Sequence, residues 1–200
     1  MGSVGAILLA AGASTRMGSV KQLLPWKNST LLEHAIAQLK QSKIDSLVVV
    51  LGANEKLIRE KIGFDDVDVV VNSNWEKGMA TSIEAGLRFL LTKNPEIQSA
   101  LIALSDQPLL DFNYYNKLIN NNIESKNKIV CSAYADQFGV PAIFDRDYFD
   151  DLLNLEGSIG ARFLLRGGSV KVVAENAGEL AVDLDTKESY NRIYELYGRL

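Results

Sequence analysis

Scarcity is informative in this chain of 200 residues: it holds one cysteine, one histidine and four prolines. Cys131 alone cannot close an intrachain disulfide, and with His34 as the sole imidazole there is no Cys/His set at zinc spacing. A reducing cytoplasm is therefore the expected compartment. Charge of one sign is lacking too: 21 basic residues face 25 acidic ones, a net charge of −4. No chain-wide field exists to draw nucleic acid or an anionic membrane, so neither is an expected partner, and any phosphate site must be local. Long hydrophobic runs are missing as well. Val4–Ala11, broken only by Gly5, is much too short to span a bilayer and has no basic flank of the signal-peptide kind. Ala6 interrupts the myristoylation pattern that Gly2 would begin. Fifteen glycines and four prolines give no low-complexity bias, while 47% apolar and 23% charged residues are the content of an ordinary globular protein. One domain over residues 1–200 is expected.

What is present is alternation. Val4–Ala10 is an apolar run of strand length, the pattern of a parallel strand buried on both faces, and Leu47–Leu51, Val67–Val71 and Ala100–Leu104 repeat it. Helical periods lie between them. Thr30 and Glu33 form a capping-box pair ahead of Leu31, Leu32, Ala35, Ile36 and Leu39; weaker periodicity covers Asn54–Ile62; Met79–Leu91 is longer; and Asp111 can cap a helix carrying Tyr114, Tyr115, Leu118 and Ile119. This order predicts an α/β fold with a mostly parallel open sheet, helices on both faces, and functional residues at the carboxyl ends of the strands. After Asn122 the alternation loosens. Strands are expected at Ile129–Ala133, Val140–Phe144, Val170–Ala174 and Leu180–Leu184, helices at Ser158–Leu165 and Thr186–Tyr197, with some antiparallel pairing in this half.

The stretch from Leu8 to Lys21, reading LLAAGASTRMGSVK, follows the first strand. Small residues let backbone amides approach a ligand, and Arg16 and Lys21 add positive charge: together a phosphate cradle at a strand end. A surface loop with two solvated cations is the bland alternative. Gly12 and Gly18 are too far apart for a dinucleotide fingerprint, and Lys21 does not follow the second glycine as a Walker A lysine would.

The same stretch resembles the signature of the molybdenum-cofactor nucleotidyltransferases, the family of the molybdopterin cytidylyltransferases and guanylyltransferases. Further segments match in order: Gly78–Ile83, Asp106-Gln107-Pro108, Gly139–Phe144, Gly160-Ala161-Arg162 and Asp183–Thr186. The resemblance covers nearly the whole chain. It implies a GT-A-like, three-layer α/β/α fold and transfer of a nucleoside monophosphate to a phosphorylated acceptor, with pyrophosphate released. The acceptor phosphate is itself the nucleophile, so the lack of a Ser-His-Asp or Cys-His arrangement is expected; the protein aligns reactants and offsets charge.

By resemblance, Leu9, Ala10, Ala11 and Gly12 meet the base and phosphates, while Arg16 and Lys21 hold the triphosphate. Asp106 ends a buried strand, where a carboxylate is costly unless paired or metal-bound; magnesium is the implied partner, with a loop or cap aspartate as the alternative. Asp183 and Asp185, alternating on the expected last strand, point to opposite faces. Asp183 is then the second metal ligand or a structural residue, and Asp185 with Glu188 resembles a helix cap and its partner. Gly78 and Ser82 line the nucleotide pocket, unless Thr81 or Ser82 merely caps the helix, and Asn72 is a candidate contact to base or ribose. Gly139, Pro141 and Arg162 lie on the acceptor side. The family's Leu-Ala-Ala-Gly goes with cytidine, since the Ala11 methyl narrows the space a purine needs, so CTP is the expected donor and molybdopterin the expected acceptor, with a molybdoenzyme as possible recipient of the product.

Two features depart from the family: Val140 stands where the cytidylyltransferases carry histidine, and Ser158 follows Gly157 where an acidic residue is usual. A sugar phosphate or other small phosphorylated acceptor is therefore an alternative, and a non-catalytic module delivering nucleotide or cofactor is another. His34 is expected at a solvated helix position and Cys131 in a strand interior as a small hydrophobe; Trp26 and Trp75 are expected in packing, with stacking on a base as the alternative; Lys126 and Lys128 form no nucleic-acid patch.

Overall fold

The computed structural model describes residues 2–124, 129–134, 137–155, 157, 160–161, 164–165 and 172–199. Nine strands and six helices succeed one another there: β1 (Val4–Ala10), β2 (Pro25–Trp26), β3 (Ser29–Thr30), α1 (Leu31–Gln41), β4 (Ser46–Leu51), α2 (Glu55–Lys61), β5 (Asp68–Val71), α3 (Met79–Lys93), β6 (Ser99–Leu104), α4 (Phe112–Glu124), β7 (Ile129–Tyr134), β8 (Gln137–Asp145), α5 (Phe149–Leu153), β9 (Val172–Asn176) and α6 (Lys187–Ile193). Seven strands form one sheet in the order β5-β4-β1-β6-β8-β7-β9, and β2 and β3 form a separate hairpin. β8 runs antiparallel to both β6 and β7, whereas the other pairings are parallel. The expected antiparallel element of the C-terminal half is thus a single reversed strand.

Every residue of β1 is buried, as its central place requires. Strand alternation sends Val4, Ala6, Leu8 and Ala10 into the core under α1, α2 and α4, and Ile7 and Leu9 into the core under α3 and α5. Three layers result. A smaller cluster of Trp26, Leu31, Leu184 and Ile193 closes the end of the molecule near the hairpin. Local chemistry sets the helix starts: Thr30 and Glu33 form the anticipated capping box, and the Tyr114 amide donates to Asp111 Oδ1 at 3.0 Å.

Three expectations need correction. Leu180–Leu184 is not a strand: a short 3-10 turn over Gly178–Leu180 leads into an extended segment without a sheet partner. Leu184 is drawn into the small cluster, and its amide donates to the Asp106 carbonyl at 3.0 Å, so the segment crosses the strand tips. The last helix is capped by Thr186 with Ser189, so Asp185 is free for other contacts. His34 is half-buried, its Nε2 3.1 Å from the Pro108 carbonyl, and burial lowers its pKa. Most of the expected helix at Ser158–Leu165, and with it Arg162, lies outside the described residues, as do Lys126 and Lys128.

Candidate functional site

A cleft of about 660 Å³ opens at the carboxyl ends of β1 and β6, bounded by the loop after β1, the start of α3 and the segment that crosses the strand tips. Hydrogen bonds shape its loop from within. Gln22, 2% exposed, donates from Nε2 to the carbonyls of Ala10 and Gly12 at 2.8 and 3.0 Å, and its Oε1 accepts from Ser14 Oγ at 3.2 Å. The Lys21 amide in turn donates to Ser14 Oγ at 3.0 Å. This clip folds the loop back over the strand tip and delivers the Lys21 side chain into the cleft.

There the Lys21 ammonium pairs with Asp106 Oδ2 and, at 3.0 Å, with Asp185 Oδ1; Arg16 binds Asp185 Oδ2 at 2.9 Å. Burial alone would pull the Lys21 pKa down, but Asp106 and then Asp185 outweigh it and hold the ammonium above its ordinary value. Asp185, pushed up by burial, is pulled further down by Lys21 and Arg16 and ends below the usual carboxylate range. Asp183 goes the other way: burial, then the charge of Asp106, raise it against the opposing hydrogen bond from Gln107. That bond runs from Gln107 Nε2 to Asp183 Oδ1 at 2.8 Å. Asp106 Oδ1 is buried and has no hydrogen-bond partner. Such an oxygen is costly in the resting protein and suits a cation.

Leu9, Ala10, Ala11, Gly12, Arg16, Lys21, Gly78, Ser82, Asp106 and Asp183 all line this one cleft. Three expected residues do not. Asn72 stands behind the wall, where its amide donates to Thr81 Oγ1 and Ser82 Oγ, each at 2.9 Å, and so is spent on holding the loop. Gly139 and Pro141 fall on the side of β8 away from the cleft, because strand alternation presents Val140 between them. Gly139 lies against the Tyr134 ring, and the Pro141 carbonyl accepts from Ser132 Oγ at 2.7 Å. Thr81 is not a cap either: its hydroxyl donates to the carbonyls of Asn74 and Gly78, and no side chain caps α3.

Asp183 and Asp185 were expected on opposite faces, yet both line the cleft. The Asp185 amide donates back to the Asp183 carbonyl at 3.1 Å, a turn that cancels the pleat. Sequence reasoning also missed Gln22, Gln107 and Met79, and set packing above base contact for Trp75. The two glutamines carry no charge and mark no spacing, although Gln107 stands inside the Asp-Gln-Pro segment. Trp26, 1% exposed, is packed as expected, but Trp75 lines the cleft. Among the described residues no group of three or more His, Cys, Asp or Glu could hold a metal by itself, so any cation here would rest on one or two carboxylates.

A family model described as a MobA-like NTP transferase domain matches residues 6–175. Nicotine blue oxidoreductase of Paenarthrobacter nicotinovorans is 31% identical, with 94% of each chain covered. The molybdenum cofactor cytidylyltransferase of Escherichia coli K12 is 23% identical, with 98% of each covered. Among solved structures, Rv0371c from Mycobacterium tuberculosis H37Rv superposes with a TM-score of 0.86 at 29% identity, covering 96% of this chain and 98% of that one. A second structure of Rv0371c, in complex with manganese, superposes with a TM-score of 0.78 at 28% identity over 96% of this chain and 98% of that one. With the family model spanning strands β1 to β9 and a cleft of paired cations and carboxylates at their tips, this chain belongs to the MobA-like NTP transferase family and is a nucleotidyltransferase.

Proposed function

We propose that this protein, as one domain over residues 1–200, transfers cytidine monophosphate from CTP to the phosphate of a molybdopterin-type acceptor and releases pyrophosphate. The observation that carries this reading is the Lys21–Asp106 pair at the tip of β6, with Arg16 beside it and one Asp106 oxygen buried and unpaired. An oxygen of the acceptor phosphate attacks the α-phosphorus while the bond to the β-phosphate breaks. Arg16 and Lys21 offset the charge that gathers on the α-phosphate and the departing pyrophosphate. Fixed backbone groups of Ala10, Ala11 and Gly12, held by Gln22, orient the nucleotide.

Asp106 and Asp183 would hold magnesium, an ion suited to one or two carboxylates completed by phosphates and water. The orphaned Asp106 oxygen and the repulsion between the two carboxyl groups fit a cation, and the manganese complex of Rv0371c supports a divalent one. When bound, the ion would supply positive charge to the phosphate oxygens. The Ala11 methyl and the name of the Escherichia coli relative support CTP. Met79, Val140 and Ala161 give the cleft an apolar stretch that suits a flat ring better than a hydroxyl-rich sugar. The name of the Paenarthrobacter relative points to redox chemistry, but the Gly12–Gly18 spacing of this chain is not that of a dinucleotide site.

The decisive experiment incubates the protein with each nucleoside triphosphate, magnesium and a molybdenum-bound pterin and follows pyrophosphate. CTP-dependent release, lost in Asp106→Ala, is the expected result. If ATP, CTP, GTP and UTP all fail to bind at millimolar concentration with magnesium present, the proposal is wrong.

A further inference from the structure

We propose that Trp75 is the stacking platform for the nucleobase, an assignment that rests on the nucleotidyl-transfer reading and names a residue that reads the donor. Of the two tryptophans, Trp26 is sealed in the small cluster and Trp75 is partly exposed on the wall of the cleft. Its loop is pinned. The Asn74 amide donates to Asn72 Oδ1 at 2.9 Å, Thr81 Oγ1 donates to the Asn74 carbonyl at 3.0 Å, and the Gly78 amide donates to the Trp75 carbonyl at 3.1 Å. Asn72 anchors the set to α3 through Thr81 and Ser82.

Gly52, at the end of β4, makes the seat. A methyl group there would fall 2.9 Å from Trp75 Cβ, 2.8 Å from Ala11 Cβ and 2.7 Å from the Ala11 carbonyl oxygen. Trp75 and Ala11 therefore meet across a position that tolerates no side chain. The pair occupies the β4–β1 end of the cleft, while Lys21, Asp106, Asp183 and Asp185 gather towards β6. A nucleoside triphosphate has the same two ends, a flat ring and a chain of charge, and only one orientation puts its phosphates on the cations. The ring then reaches Ala11 and Trp75. An indole carried on a pinned loop and packed against the core under α3 gives up less freedom on stacking than a free one, which makes it an effective platform.

Intrinsic fluorescence tests the assignment on the full chain, because Trp26 is out of reach of ligand. With magnesium present, CTP should quench the emission and inorganic triphosphate, which has the charges without the ring, should not. Trp75→Phe should abolish the quenching. Trp75→Ala should bind CTP about tenfold more weakly while its affinity for inorganic triphosphate stays unchanged. A structural role for Trp75 would lower both affinities together and overturns the proposal. So does CTP that raises the Tm without quenching, or quenching by a molybdenum-bound pterin but not by CTP, which would give Trp75 to the acceptor. If no nucleoside triphosphate raises the Tm, the nucleotidyl-transfer reading itself fails.

Discussion

At the scale of single residues, the cleft is a balance of charges that each act through a neighbour. Lys21 is the shared partner of Asp106 and Asp185, so Lys21→Met is expected to cut pyrophosphate release by about 100-fold or more, the effect of losing one donor to developing charge. Steady-state kinetics with CTP would check it. Asp185 offers a test by pH. Its folded pKa lies below its ordinary 3.8, so its pairing stabilises the fold above that value and is lost as pH falls through the lower folded value. Denaturation measured from pH 5 downwards should therefore lose stability less steeply in Asp185→Asn than in the parent. Cys131, fully buried in β7, has its thiol pushed up to about 12 by burial, so a thiol reagent at pH 8 should label the protein only as fast as the strand is exposed by unfolding. Charge-bearing residues at this scale were legible in the sequence because their spacing after a strand is visible. Gln22 and Gln107 were not, since a neutral amide gains its meaning only from the carbonyls and carboxylate the fold places around it.

Helices and strands were more readable than their environments. The capping pair at Thr30, the buried run of β1 and the period of α3 follow from local chemistry, and all formed where expected. What local pattern could not show is how closely elements approach. In α3, Gly86 lies so near β1 that an added methyl would sit 2.4 Å from Ile7 Cγ2 and 3.0 Å from Val50 Cγ2. Alanine would gain about 1 kcal/mol of helix propensity, but overlap with a rigid strand costs more, so Gly86→Ala is expected to destabilise by about 1–2 kcal/mol net. Urea unfolding should show a lower midpoint with an unchanged slope. The segment 181–185 shows the opposite failure. The run Leu180–Leu184 reads as a strand, but residues 181–185 pair with no strand, and the Leu184 amide is bonded instead to the Asp106 carbonyl across the strand tips.

For the whole molecule, the prediction concerns linkage between ligand and stability. A ligand that binds only the native state at 100 times its Kd adds about 2.7 kcal/mol, which for 200 residues corresponds to a rise in Tm of roughly 5–10 °C. CTP with magnesium should produce it in a thermal-shift assay, and Asp106→Ala should not. No helix among the described residues is long and apolar enough to cross a membrane. The layered α/β plan and the gathering of Arg16, Lys21 and Asp106 at strand ends were legible in the sequence, because burial patterns and charge at strand ends are properties of neighbours in the chain. Tertiary structure alone decided that β8 runs backwards, that Asp183 and Asp185 share one side, that Asn72, Gly139 and Pro141 stay off the cleft wall, and that Trp75 reaches Ala11 across Gly52. Each of those depends on groups far apart in the chain competing for the same space and the same hydrogen bonds, and such a competition has no trace in local periodicity.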